Sequence, residues 1–217
     1  MPSAMFTDTV LRDATKTFQV SENLEGLHAD FERMLQYKRF AVALTYPDAG
    51  FAAFFSDVAV DANQLALEHD RLFRAKEIWL YSAEHLAENE FQRAQLLADV
   101  MGFYRAFGVE PDSDRPDALA CEFEFMHYLV YKNLYALESR ALADAADKAA
   151  ICLDAQQKFF VEHLYPAAKK VASAIAAQSE NAFYRQIAIE MLAFLEAEAE
   201  AGVLASTDRA PTAKARK

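Results

Sequence analysis

The chain has 217 residues, 53% of them apolar and only five of them glycine, with a formal net charge of -11. That length supports one well-packed core, and the apolar fraction excludes wholesale disorder. Gly26, Gly50, Gly102, Gly108 and Gly202 cannot assemble a phosphate-binding glycine loop, and the last ten residues carry +3, leaving -14 on the other 207, a balance that repels nucleic acid and anionic membrane and either attracts basic peptides or simply serves solubility.

In chain order the periodicity is helical almost throughout, with no convincing period-2 strand, so an all-α single domain of about eight helices is expected. Residues 6–20 suit a short amphipathic helix within an N-terminal extension, 1–26. The main domain is placed at 27–203. Its first stripe comprises Leu27, Phe31, Met34, Leu35, Phe40, Ala41 and Leu44, and stops before Tyr46-Pro47-Asp48. Asp48 can cap a short helix through Phe54-Phe55. A further helix is expected over 57–74, with Leu65, Leu67, Leu72 and Phe73 inward. Residues 77–107 hold one long helix or two joined near Asn89, and Gly108 is a natural stop.

Residues 109–115 form a loop rich in turn formers, followed by a helix from about Asp117 to Ser139. The next spans about 144–164, breaks at Tyr165-Pro166 and resumes over 167–177. Ser179 suits the N-cap of the last helix, and Gly202 its end. Residues 204–217 are expected to be a basic, disordered tail. Cys121 and Cys152 lie in apolar helical surroundings without a CxxC, which fits buried thiols in a reducing cytosol. No secretory leader pattern and no membrane-length apolar run is visible, so a cytoplasmic location is expected, without stable membrane association.

Glu-x-x-His occurs as Glu25…His28 and as Glu124…His127, the i, i+3 spacing with which di-iron bundles present ligands on one helix face. With so many glutamates, two such hits are also expected by chance, and the chain is read as having no metal centre. No Ser/His/Asp or Cys/His set stands out, so no catalytic residue is assigned. Aromatics make up 12% of the chain. Trp79 and Tyr81, and Tyr128 and Tyr131, stand close to acids, which suits an arginine-bearing apolar peptide or, equally, an aromatic core.

The segment Pro116-Asp117-Ala118-Leu119…Glu122-Phe123-Glu124-Phe125-Met126…Tyr128-Leu129 resembles the Pro-Asp-His…Glu-Leu-Glu-Phe-Met…Leu motif of the TorD/DmsD/NarJ maturation chaperones. Glu162-His163-Leu164-Tyr165-Pro166-Ala167 is similar to that family's His-x-x-Pro-Trp hinge. Tyr46-Pro47-Asp48, Glu68-His69-Asp70-Arg71-Leu72-Phe73 and Phe183-Tyr184 agree in order, so the resemblance covers about residues 30–200. Ala118, Ala167 and His69 stand where the family has histidine, tryptophan and an aromatic, and Arg74–Glu77 replaces a glycine-proline loop.

The resemblance implies a cofactor-free chaperone, not an enzyme. Its partners would be the apo catalytic subunit of a molybdenum oxidoreductase and its twin-arginine signal peptide, bound by a monomer or domain-swapped dimer. Met126–Lys132 looks closest to the branch serving type II dimethyl-sulfoxide-reductase-like enzymes. In this reading Asp117 and Glu124 attract arginines, and Trp79, Tyr81, Leu72, Phe73, Phe125 and Tyr128 receive apolar anchors. His163, Tyr165 and Pro166 form a hinge. The simpler roles are a helix cap for Asp117, a buried ion pair with an internal arginine for Glu124, and a helix-end cation for His163. A ferritin-like di-metal protein and a helical adaptor without a molybdoenzyme client are the alternatives.

Overall fold

The computed structural model describes residues 24–58, 61–111, 114–138 and 144–208, with side chains placed between residues 26 and 202. The expected helix 6–20 and the tail beyond Asp208 lie outside the described residues. Within them the chain is helical, with a lone antiparallel β-bridge between Tyr81 and Ala118.

Helix α1 (Leu24–Ala43) buries Met34, Tyr37, Phe40 and Ala41, while Leu35 is turned outward at 41% exposure. Leu35 follows Met34 by one residue, so it lies about 100° off the buried stripe. Asp48 caps α2 (Ala49–Phe54) by accepting from Gly50 N and Phe51 N. Helix α3 (Ala62–Asp70) starts later than its apolar pattern predicts, because Asp61 caps it through Asn63 N and Gln64 N. Leu67, two residues from the buried Leu65 and so about 200° around the helix from it, points to solvent at 73% exposure. A π-helical turn over Arg71–Ala75 continues α3 and is capped at Lys76, and the next residue, Glu77, is held at φ 54°.

The 77–107 region is two helices, α4 (Ser82–Leu86) and α5 (Glu90–Ala106), separated because the Asn89 side chain accepts from Gln92 N and starts a new helix. Gly108, at φ 70°, ends α5. Helix α6 (Leu119–Glu138) is the axis of the fold, packed between α1 and α7 (Ala145–Phe159). Its first turns are buried on every side, from Leu119 through His127.

The expected break at Tyr165-Pro166 is instead a π-helical turn over Phe160–Leu164, passing directly into α8 (Tyr165–Gln178). Proline clashes with the carbonyl four residues earlier, and a wider turn relieves that clash without ending the helix. Helix α9 (Ala182–Asp208) is capped by Asn181, whose Oδ1 accepts from Phe183 N and Tyr184 N, rather than by Ser179. It also runs through Gly202, since a helical glycine costs only about 1 kcal/mol. Arg33 on α1 grips Glu198 on α9 through Nε at 2.7 Å, and its Nη1 donates to Gln156 on α7 at 2.7 Å. No described helix is long and apolar enough to cross a membrane.

Candidate functional site

The extended segment 78–82 and the entry to α6 are stitched together by two backbone bonds, Leu119 N to Leu80 O at 2.9 Å and Ser82 N to Asp117 O at 2.8 Å. This pairing puts Asp117 under the first turn of α4, where its Oδ2 accepts from Ala83 N at 3.3 Å. Asp117 is 1% exposed, yet it is held from outside by Arg115, whose Nε and Nη2 donate to its two oxygens at 2.9 Å each. The same guanidinium lies 3.9 Å above the centre of the Tyr81 ring and donates to Glu84 Oε1 at 3.2 Å. Arg93 also donates to Glu84 Oε1. The edge is therefore a guanidinium seat of one aromatic face and two carboxylates, occupied by the chain's own Arg115.

Behind the seat, Glu122 is fully buried, accepts from Ser82 Oγ, and has no partner for Oε2. Burial raises its pKa well above the ordinary 4.5, the Ser82 bond opposes this, and the Asp117 charge reinforces it. Glu122 is thus a neutral acid behind the paired Asp117. Tyr104 donates to Pro116 O at 2.9 Å and fastens this entry to α5.

The other residues expected to meet a client are dispersed. Trp79, at 47% exposure, is on the same extended segment as Tyr81, and its carbonyl bonds His85 Nε2 at 2.7 Å. Glu124 is on the α1 side of α6, with both oxygens 2.7 Å from Lys38 Nζ. Its neighbour His127 is bonded through Nδ1 to Met34 O at 2.9 Å, so this Glu-x-x-His pair is engaged with α1, and the side chain of Glu25 lies outside the described residues. Phe125 is wholly buried between Tyr104 and Phe159, each at 4.8 Å between ring centres. Leu72 and Phe73 are buried under the first π-turn. Tyr128 is half-buried and donates to Phe107 O at 3.3 Å. In this conformation Trp79, Tyr81 and Tyr128 present surface to a partner, whereas Leu72, Phe73, Glu124 and Phe125 are interior.

His163 is buried in the second π-turn, packed against Phe103 and Phe159, with Tyr165 and Pro166 half-exposed beyond it. Its Nε2 lies 3.0 Å from Asp99 Oδ2 of α5, within ion-pair range but without hydrogen-bond alignment. Cys121 and Cys152 are both buried thiols.

The residues that complete these sites, Arg115, Glu84, Lys38 and Asp99, are not singled out by the sequence motifs. Lys38 carries a signal nonetheless. It stands between Met34 and Ala41 on the apolar stripe of α1, where a cation requires a buried acid.

A family model described as "Nitrate reductase delta subunit" matches residues 21–172, which include α1 through the first half of α8 and so the whole Asp117 edge. No curated protein and no solved structure matches the chain.

Proposed function

Because the chain belongs to the nitrate reductase delta subunit family, a family of molybdoenzyme maturation chaperones rather than enzymes, we propose that it captures the catalytic subunit of a molybdopterin-containing oxidoreductase before cofactor insertion and holds that subunit's twin-arginine leader. The family match across residues 21–172 carries this reading. A type II dimethyl-sulfoxide-reductase-like client is the branch to which the Met126–Lys132 stretch points. The proposed setting is the cytoplasm, before export of the client.

The proposed point of capture is the guanidinium seat. A leader arginine has the same planar fork as Arg115 and can exchange with it over Tyr81 and Asp117, or share Glu84. Trp79 supplies an exposed aromatic on the same segment for an apolar neighbour of that arginine. Glu124, Phe125, Leu72 and Phe73 act as scaffold, reaching a client only if the helices part near His163, Tyr165 and Pro166.

Trp79 is the sole tryptophan, so its fluorescence reports on this edge directly. Titration of the full chain with an arginine-rich leader peptide is expected to change Trp79 emission, with affinity falling as salt is added. Affinity capture from the native host is expected to recover a molybdopterin subunit. Failure of both would overturn the reading, and capture without leader binding would remove the seat from it.

A further inference from the structure

The second π-turn does more than absorb Pro166. Successive residues of a regular helix diverge by about 100°. Here Glu162 and His163, though adjacent, each offer a ligand atom to the same point, within 4.8 Å of one another and of a carboxylate oxygen of Asp99 on α5. The two carboxylates are exposed and the imidazole is 2% exposed. Neither ring nitrogen of His163 makes a hydrogen bond, although Nε2 is aimed at Asp99 Oδ2 from 3.0 Å. A buried imidazole left in that state is costly unless something supplies its missing partner.

We propose that Asp99, Glu162 and His163 form a binding site for a divalent transition-metal ion, with zinc as the ion that fits the donor set best. One imidazole nitrogen with two carboxylate oxygens is a set that zinc accepts, whereas magnesium and calcium take oxygen donors. Ligand atoms about 2.1 Å from a tetrahedral ion stand roughly 3.4 Å apart. The separations here, 3.0 Å at one pair and within 4.8 Å overall, reach that value by small rotations of two exposed carboxylates.

Asp99 also lines an open cleft of about 680 Å³ together with Glu88, Gln92 and Gln95. A bound ion would clip α5 to the joint between α7 and α8. This site is independent of the guanidinium seat.

The test uses the full chain stripped with a chelator, titrated calorimetrically with zinc chloride and, separately, with magnesium chloride. One zinc per chain and no magnesium binding are expected, with a rise in melting temperature on adding zinc. Asp99→Asn and Glu162→Gln replace exposed residues, so both variants fold, and each is expected to weaken zinc about tenfold or more and to lose the thermal shift. His163→Gln is expected to abolish binding, but the two surface variants decide. Absence of zinc binding in the parent, or zinc affinity in both surface variants unchanged from the parent, would overturn the site.

Discussion

Lys38 of α1 holds both carboxylate oxygens of Glu124 on α6 at 2.7 Å, across 86 residues of sequence and on a face where the two side chains are only 18% and 8% exposed. A nearly buried pair of this kind is costly to break on one side, because the remaining charge has no compensation. Lys38→Met is expected to destabilise the protein by about 3 kcal/mol, and Lys38→Met with Glu124→Leu to recover most of the loss. Urea unfolding midpoints at neutral pH measure both.

Phe125 separates scaffold from contact. It is fully buried among Tyr104, Phe107 and Phe159. Phe125→Leu is expected to cost about 1–2 kcal/mol in thermal or urea unfolding. Leader-peptide affinity of the folded variant should match the parent. A clear loss of affinity at unchanged fold would make Phe125 a client contact and require the helices to open.

Arg115 is the internal rival of a client arginine. Arg115→Ala strips the cation from the nearly inaccessible Asp117 and is expected to lower stability by about 3 kcal/mol. If the seat is where the leader docks, the same substitution raises affinity for an arginine-rich peptide, while Asp117→Asn lowers it. Anisotropy titrations of a labelled peptide read both, and equal affinity in both variants would place leader binding elsewhere.

Two carboxylates give pH dependences of opposite sign. Burial keeps Glu122 protonated in the folded chain, whereas in the unfolded chain it ionises near 4.5. Above that pH the folded state therefore binds more protons, and stability falls as pH rises towards the folded value. Glu122→Gln should remove that fall and gain on the parent steadily from pH 4.5 upward. Glu68 behaves in reverse. Hydrogen bonds from Arg71, then from Ser179 and Glu180 N, outweigh its burial and pull it down to about 2. Its contribution is complete above 4.5 and is lost as pH falls through 2, so the deficit of Glu68→Gln should vanish in acid. Urea titrations across this range separate the two.

Gly108 and Glu77 form a backbone pair of opposite fit. Gly108 has φ 70° with open space where a Cβ would go, so Gly108→Ala carries only a conformational cost of about 1 kcal/mol. Glu77 has φ 54° in a residue type that disfavours it, and Glu77→Gly should be neutral or stabilising by a few tenths of a kcal/mol. Melting temperatures of the two variants should move in opposite directions or leave Glu77→Gly unchanged.

The all-α class, the buried stripe of α1, the Asp48 cap and the stop at Gly108 follow from interactions between residues a few positions apart. Local sequence therefore determined them. It was ambiguous at the start of α9, where Ser179 and Asn181 are both capping residues two apart, and only the trajectory of the chain selects Asn181. Proline at 166 likewise announces a disturbance, but its presence alone does not tell a break from the widened turn that is found over Phe160–Leu164. The motif acids were legible as residues, not in their roles. Asp117 is seated by Arg115 and reaches across to α4, and Glu124 is neutralised by Lys38 on another helix. Whether a carboxylate is offered to a partner or already satisfied depends on which charge lies within about 4 Å of it. Tertiary packing sets most of those distances here, bringing together residues far apart along the chain.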